Sequence, residues 1–83
     1  MSVETGEYIA MLRRMIAAAG RRVAIADEDE LAELLALHDD LDRAVQHAVD
    51  GQRASGSSWA QIARGVGTTR QAAQMRWGKA VAS

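Results

Sequence analysis

The chain has 83 residues with ten basic and eleven acidic side chains, which give a formal net charge of −1, and a chain of this length is predicted to form a single domain. It contains no cysteine, which excludes disulfide bonds and thiolate metal sites. Its apolar runs are only a few residues long and residues 1–8 lack the pattern of a secretory signal, so we expect a cytoplasmic protein without a membrane partner.

The charges are divided unequally along the chain. Residues 1–50 carry eleven acids and five arginines, a net charge of −6, whereas residues 51–83 carry five basic residues and no acid, a net charge of +5. A basic half in a protein that is otherwise acidic indicates a polyanionic partner such as nucleic acid. The alternative is a dipolar surface that serves no partner.

The composition favours helices, because proline is absent, alanine is frequent and few residues are aromatic. We therefore predict an all-α fold, a helical hairpin followed by a C-terminal helix-turn-helix. The first helix is predicted over about residues 4–19, where apolar side chains recur every three or four positions. Gly20 follows as the predicted C-cap of this helix.

The second helix is predicted over about residues 28–54, with Asp27 as its N-cap and Glu30 completing a capping box. Residues spaced three and four apart form a heptad-like seam along it: Leu31, Leu34, His38, Leu41 and Val45. One part of this apolar face can pack on the first helix, and the surplus can pair with a second copy. We therefore expect residues 1–54 to form a helical hairpin that makes the protein a homodimer.

Two short helices are predicted after a turn-forming break at residues 54–58. Ser58 with Gln61, and Thr68 with Gln71, have the spacing of capping boxes that begin helices at about residues 58–65 and 69–79. Gly65 and Gly67 lie between them, where the chain must turn. This spacing is typical of a helix-turn-helix unit, which we place at about residues 57–81.

The apolar residues of the two short helices agree with that interpretation. One face of the first helix carries Trp59, Ile62, Ala63 and Val66, and one face of the second carries Ala73, Trp77 and Ala80. The small alanines allow two helices to cross closely, and the larger side chains supply the apolar area that short helices need.

The pattern Ile62-Ala63, Val66-Gly67-Thr68 and Ala73 resembles known helix-turn-helix DNA-binding proteins, and residues 56–77 are similar to small actinobacterial regulators. The resemblance implies that the second short helix enters the major groove of double-stranded DNA. The side chains then expected to contact bases are Thr69, Arg70, Gln71, Gln74 and Met75. Those expected to contact phosphates are Arg53, Ser57, Ser58, Arg64, Thr68, Arg76 and Lys79.

No pattern of catalytic residues is present. There is no phosphate loop and no serine with matching histidine and aspartate, and His38 and His47 lie nine positions apart, which does not place two metal ligands on one helix face. We therefore expect neither an enzyme nor a metal, a cofactor or a small-molecule effector. Two alternatives stay open, namely a protein-interaction adaptor that uses the acidic second helix and a nucleoid-associated DNA binder without sequence preference.

Overall fold

The computed structural model describes residues 3–78 and shows an all-α protein, which confirms the predicted fold class. Along these residues the helices are α1 (Val3–Val23), α2 (Glu28–Ala54), α3 (Trp59–Val66) and α4 (Arg70–Trp77). None of them combines the length and the apolar character that crossing a bilayer requires.

The chain divides into two compact units, and the division falls within α2, between Asp39 and Asp40. From the sequence, we expect the boundary between the helical hairpin and the helix-turn-helix unit later in the chain, at residues 54–57. The difference arises because the second half of α2 supplies side chains to the core around α3 and α4, with Val49 only 6% exposed. We call residues 1–39 the N-terminal unit and residues 40–83 the C-terminal unit.

The predicted end of the first helix is wrong, because α1 continues past Gly20 to Val23. The carbonyl oxygen of Gly20 accepts a bond from the N–H of Ala24 at 3.0 Å, and its φ is not positive, so it does not act as a left-handed cap. Arg21 and Arg22 in the last turn favour the longer helix, since basic side chains complement the negative end of the helix dipole.

The predicted start of α2 is confirmed. The carboxylate of Asp27 accepts a hydrogen bond from the backbone N–H of Glu30 at 3.2 Å, as an N-cap does. Three acidic residues in the first turn, Glu28, Asp29 and Glu30, lie at the positive end of the helix dipole. The helix then continues without interruption through Gly51 to Ala54.

The N-terminal unit contains no buried residue among positions 3–39. Val23 and Leu34 are half-buried near the connection between α1 and α2, and both line an open groove there. Leu12 is also half-buried, whereas most of the larger apolar side chains of the two helices are exposed. The two helices of the predicted hairpin are therefore present, but they do not enclose a core.

The core of the C-terminal unit is formed by the second half of α2 together with α3 and α4. It consists of Val49, Ile62, Ala63 and Ala73, which are between 0% and 6% exposed. Val66, which the helical spacing places on the same face as Ile62 and Ala63, is nevertheless 56% exposed. It is the last residue of α3 and borders an open groove instead of the contact between α3 and α4.

Replacing Ala73 by leucine tests this core. Ala73 is 0% exposed, so the added carbons must displace α3, and we expect the free energy of unfolding to fall by about 1–3 kcal/mol. The matched control is Ala72→Leu, because Ala72 is exposed on the same helix and should change stability by no more than about 0.5 kcal/mol. Urea unfolding followed by tryptophan fluorescence measures both, and equal losses would contradict the assigned core.

Candidate nucleic-acid interface

The first short helix, α3, begins with the capping box that the sequence predicts. The hydroxyl of Ser58 accepts a bond from the backbone N–H of Gln61 at 3.1 Å, and the side-chain oxygen of Gln61 accepts one from the N–H of Ser58 at 2.7 Å. The break before α3 is also present, with Gly56 at a φ of 106°. These local bonds fix where α3 starts after α2 ends.

The turn between α3 and α4 is made by residues 67–69. Gly67 adopts the left-handed conformation with a φ of 79°, which glycine reaches without the steric cost of a Cβ atom. The carbonyl oxygen of Ala63 accepts bonds from the N–H groups of Gly67 and, at 2.9 Å, of Thr68. Gly65, which the sequence placed in the turn, lies inside α3 instead.

The predicted capping box of Thr68 and Gln71 is wrong, because the N-cap of α4 is Thr69. The hydroxyl of Thr69 accepts a bond from the backbone N–H of Ala72 at 3.1 Å, and its backbone is extended. Thr68 lies in the turn, and its N–H is already bonded to the carbonyl oxygen of Ala63 in α3. Only the next residue is free to turn the chain into a new helix, so α4 begins at Arg70.

The C-terminal end of α4 is held by α2. The side-chain nitrogen of Gln46, which is half-buried, donates to the carbonyl oxygen of Trp77 at 2.8 Å and to the carboxylate of Asp50 at 3.0 Å. A carbonyl at a helix end has no partner within the helix, so this bond satisfies it. Sequence reasoning missed Gln46; the spacing of Gln46 and Asp50 could have indicated that pair, but nothing local indicates the contact with Trp77.

All five predicted base-contacting side chains are exposed. Gln71, Gln74 and Met75 are spaced three and four residues apart and therefore share one face of α4, on which Met75 is 78% exposed. Arg70 occupies the first position of the helix, and Thr69 precedes it as the cap. Ala73, on the opposite side, is buried against α3, so this packing determines which face is left to solvent.

Three of the predicted phosphate contacts lie together at the junction of α2 and α3. The guanidinium of Arg53 donates to the carbonyl oxygen of Ser57 at 3.1 Å and lies over the ring of Trp59, 4.8 Å from its centroid. The hydroxyl of Ser58 is used by the capping box. Arg53 thus stabilises the junction, and its guanidinium has further N–H groups for an anion.

The other predicted phosphate contacts are on α3, on α4 and in the turn between them. Arg64 and Thr68 are exposed, and the guanidinium of Arg76 lies 5.1 Å from the ring centroid of Trp77. Lys79 lies outside the described residues. Between residues 51 and 78 the sequence has four arginines and no acid, so all the charged side chains near α4 in this segment are positive.

The five residues predicted to form a dimer seam do not lie within one unit. Leu31, Leu34 and His38 belong to the N-terminal unit, whereas Leu41 and Val45 belong to the C-terminal unit. Leu34 and Val45 are half-buried and the other three are exposed. Val45 lines a groove of the C-terminal unit, so part of the seam is already used within one chain.

Among residues 3–78, no three histidine or carboxylate side chains are gathered so that they could hold a metal ion. Neither a protein-family model nor a curated protein nor a solved structure matches the chain.

Two neighbouring threonines provide a test of the observed cap. Thr69→Ala removes the hydroxyl that accepts from the N–H of Ala72, and we expect a loss of about 1 kcal/mol in the free energy of unfolding. Thr68→Ala is the matched control, since its exposed side chain caps no helix, and should cost less than about 0.5 kcal/mol. Thermal unfolding of both variants decides between the two positions, and a larger loss at Thr68 would reinstate the cap predicted from the sequence.

Proposed function

We propose that the chain binds double-stranded DNA in a sequence-specific manner through α4 and acts as a cytoplasmic transcriptional regulator. The observation that supports this most directly is the packing of two capped helices against each other, with Ala63 and Ala73 only 2% and 0% exposed. This packing leaves the polar side chains of α4 exposed within a segment that contains no acid. A recognition helix needs both features to enter the major groove.

The exposed side chains of α4 have the chemistry of base contacts. Arginine can donate two hydrogen bonds to guanine and glutamine can bond adenine at two atoms, which assigns Arg70 and the pair Gln71 and Gln74 to bases. Met75 offers an apolar contact for a thymine methyl group. Thr69 lies at the N-terminal end of α4, the end that approaches the bases in this kind of unit.

The positive side chains around α4 suit contacts with the DNA backbone. Arg64 on α3 and Arg76 on α4 are exposed and have no acidic neighbour in residues 51–78. The guanidinium of Arg53 lies over the ring of Trp59 and also adds to the positive potential. Phosphate contacts supply affinity and orientation but little sequence information, and we assign the remaining contacts of this kind to Ser57, Ser58, Thr68 and Lys79.

Paired arginine variants test this assignment. Arg70→Ala should reduce discrimination at one base pair by about 1–3 kcal/mol, because a bidentate contact to a base edge is lost. Arg64→Ala removes the same charge, and it should weaken binding to all sequences alike and lower the salt slope by about 1. Selection of bound sequences from a random duplex pool, followed by binding titrations at several salt concentrations, measures both effects.

The two alternative functions, a nucleoid-associated binder and a protein-interaction adaptor, predict different results in these binding measurements and in partner capture. Equal affinity of the wild-type chain for selected and random duplexes would replace the regulator with a nucleoid-associated binder. The absence of any binding at low salt would contradict the proposal. Partner capture that persists in an Arg70→Ala, Gln71→Ala variant would then favour an adaptor that acts through the acidic part of α2.

A further inference from the structure

We infer that the N-terminal unit is the docking surface for a second copy of this chain, whether or not α4 binds DNA. The surface that we propose for this contact comprises exposed apolar side chains of α1 and of the first part of α2. We call it the N-terminal apolar surface, and it consists of the side chains that share one face of each helix: Tyr8, Ile9, Met15, Ile16, Leu31 and Leu35.

The first argument is the absence of a core in this unit. No residue between positions 3 and 39 is buried, although α1 alone has 21 residues. The side chains of Tyr8, Met15 and Ile16 are 55–58% exposed, and Leu35 is 65% exposed. Helices in proteins are stabilised mainly by packing of their apolar faces, so these helices need another surface to pack against.

The second argument compares the available area with what a dimer requires. A side chain of this size carries on the order of 100 Å² of apolar surface, so six side chains that are about half exposed offer roughly 300 Å². A standard interface buries about 800 Å² per partner, and about two thirds of a homodimer interface is apolar, which is roughly 500 Å². The N-terminal apolar surface therefore supplies more than half of the apolar area that a standard homodimer interface buries.

The third argument is the complementary charge of the two helices. Residues 3–23 contain four arginines and two glutamates, a net charge of +2, whereas residues 28–42 contain seven acids and no base. Arg13 and Arg14 have no ion-pair partner among the described residues, and the ion pair of Asp40 is with Arg43 of its own helix. The charges of α1 thus stay available to the acidic part of α2 in another copy.

A second copy of the chain would pair the basic α1 and the acidic part of α2 at the same time. In a two-fold symmetric pair the same patch is used on both chains, and every contact occurs twice. The α1 of one chain then faces the acidic part of α2 of the other, and the reverse contact has the same composition. A uniformly basic or uniformly acidic partner would match only one of the two helices.

Sedimentation equilibrium without DNA tests the inference directly. We expect a mass of two chains, each of 8.9 kDa, for the wild-type protein. Ile16→Glu and Leu35→Glu place a charge in the docked surface and should each raise the dimer dissociation constant at least about tenfold. Met75→Glu is the matched control, because Met75 is 78% exposed but lies on α4, and it should leave the dimer unchanged.

A charge-reversal pair tests the complementarity of α1 and α2. Arg13→Glu in one chain, and Asp39→Lys in another, should each weaken self-association at least about tenfold, because these side chains border the apolar faces and like charges then face each other. In an equimolar mixture both contacts become attractive again, so the two variants should form a heterodimer with nearly wild-type affinity. Circular dichroism of each variant checks that its helix content equals that of the wild-type protein.

Two outcomes would overturn the inference. One is a wild-type protein that sediments as a single chain at every concentration that can be reached. The other is a dimer that Met75→Glu weakens as much as Ile16→Glu does, which would place the contact on the C-terminal unit. Because no DNA is present, a failure here is distinguishable from a failure of the DNA-binding proposal.

Discussion

The packing of α3 against α4, in which Ala63 and Ala73 are almost fully buried, is the interaction on which the C-terminal unit depends. Both helices have eight residues, and helices of that length are unstable in isolation. Two alanines let the helix backbones approach closely, and the left-handed Gly67 reverses the chain over a short distance so that they meet. The same contact determines which side chains of α4 are exposed, so the proposed DNA surface is a consequence of this packing.

Contacts with α2 fix the positions of the two short helices. Val49 completes the core, Arg53 contacts Trp59 at the start of α3, and Gln46 binds the carbonyl oxygen of Trp77 at the end of α4. The backbone of Gly78 lies directly against the last turn of α4, because a Cβ atom at this position would overlap the carbonyl oxygen of Gln74. Polar and cation–π contacts at the edges of the unit therefore supplement a core that is small.

The sequence predicted those features that are determined by neighbouring residues. The caps at Asp27 and Ser58 depend on residues three positions away, and both were predicted correctly. The sequence did not predict correctly which of the two adjacent threonines caps α4. That choice depends on how α3 ends and on which N–H group bonds to its last carbonyl oxygens. The hydrogen bond from Gln46 to Trp77 joins residues 31 positions apart, and a pattern of neighbouring residues cannot predict a contact over that separation. The exposure of the side chains that we predict to contact bases followed from helical spacing alone, whereas their roles on DNA remain predictions.

The two proposals concern different units, and together they would explain how so small a protein could select a site on DNA. A single eight-residue helix contacts only a few base pairs, and each correct contact contributes about 1–3 kcal/mol of discrimination. Two copies of α4 in one dimer add the contacts of a second half-site, and the first binding event raises the effective concentration for the second. This gain requires half-sites that match the separation of the two helices, which in such dimers is about one turn of DNA or a multiple of it. The residues proposed for self-association and those proposed for DNA binding are different, so the two proposals assign no side chain twice.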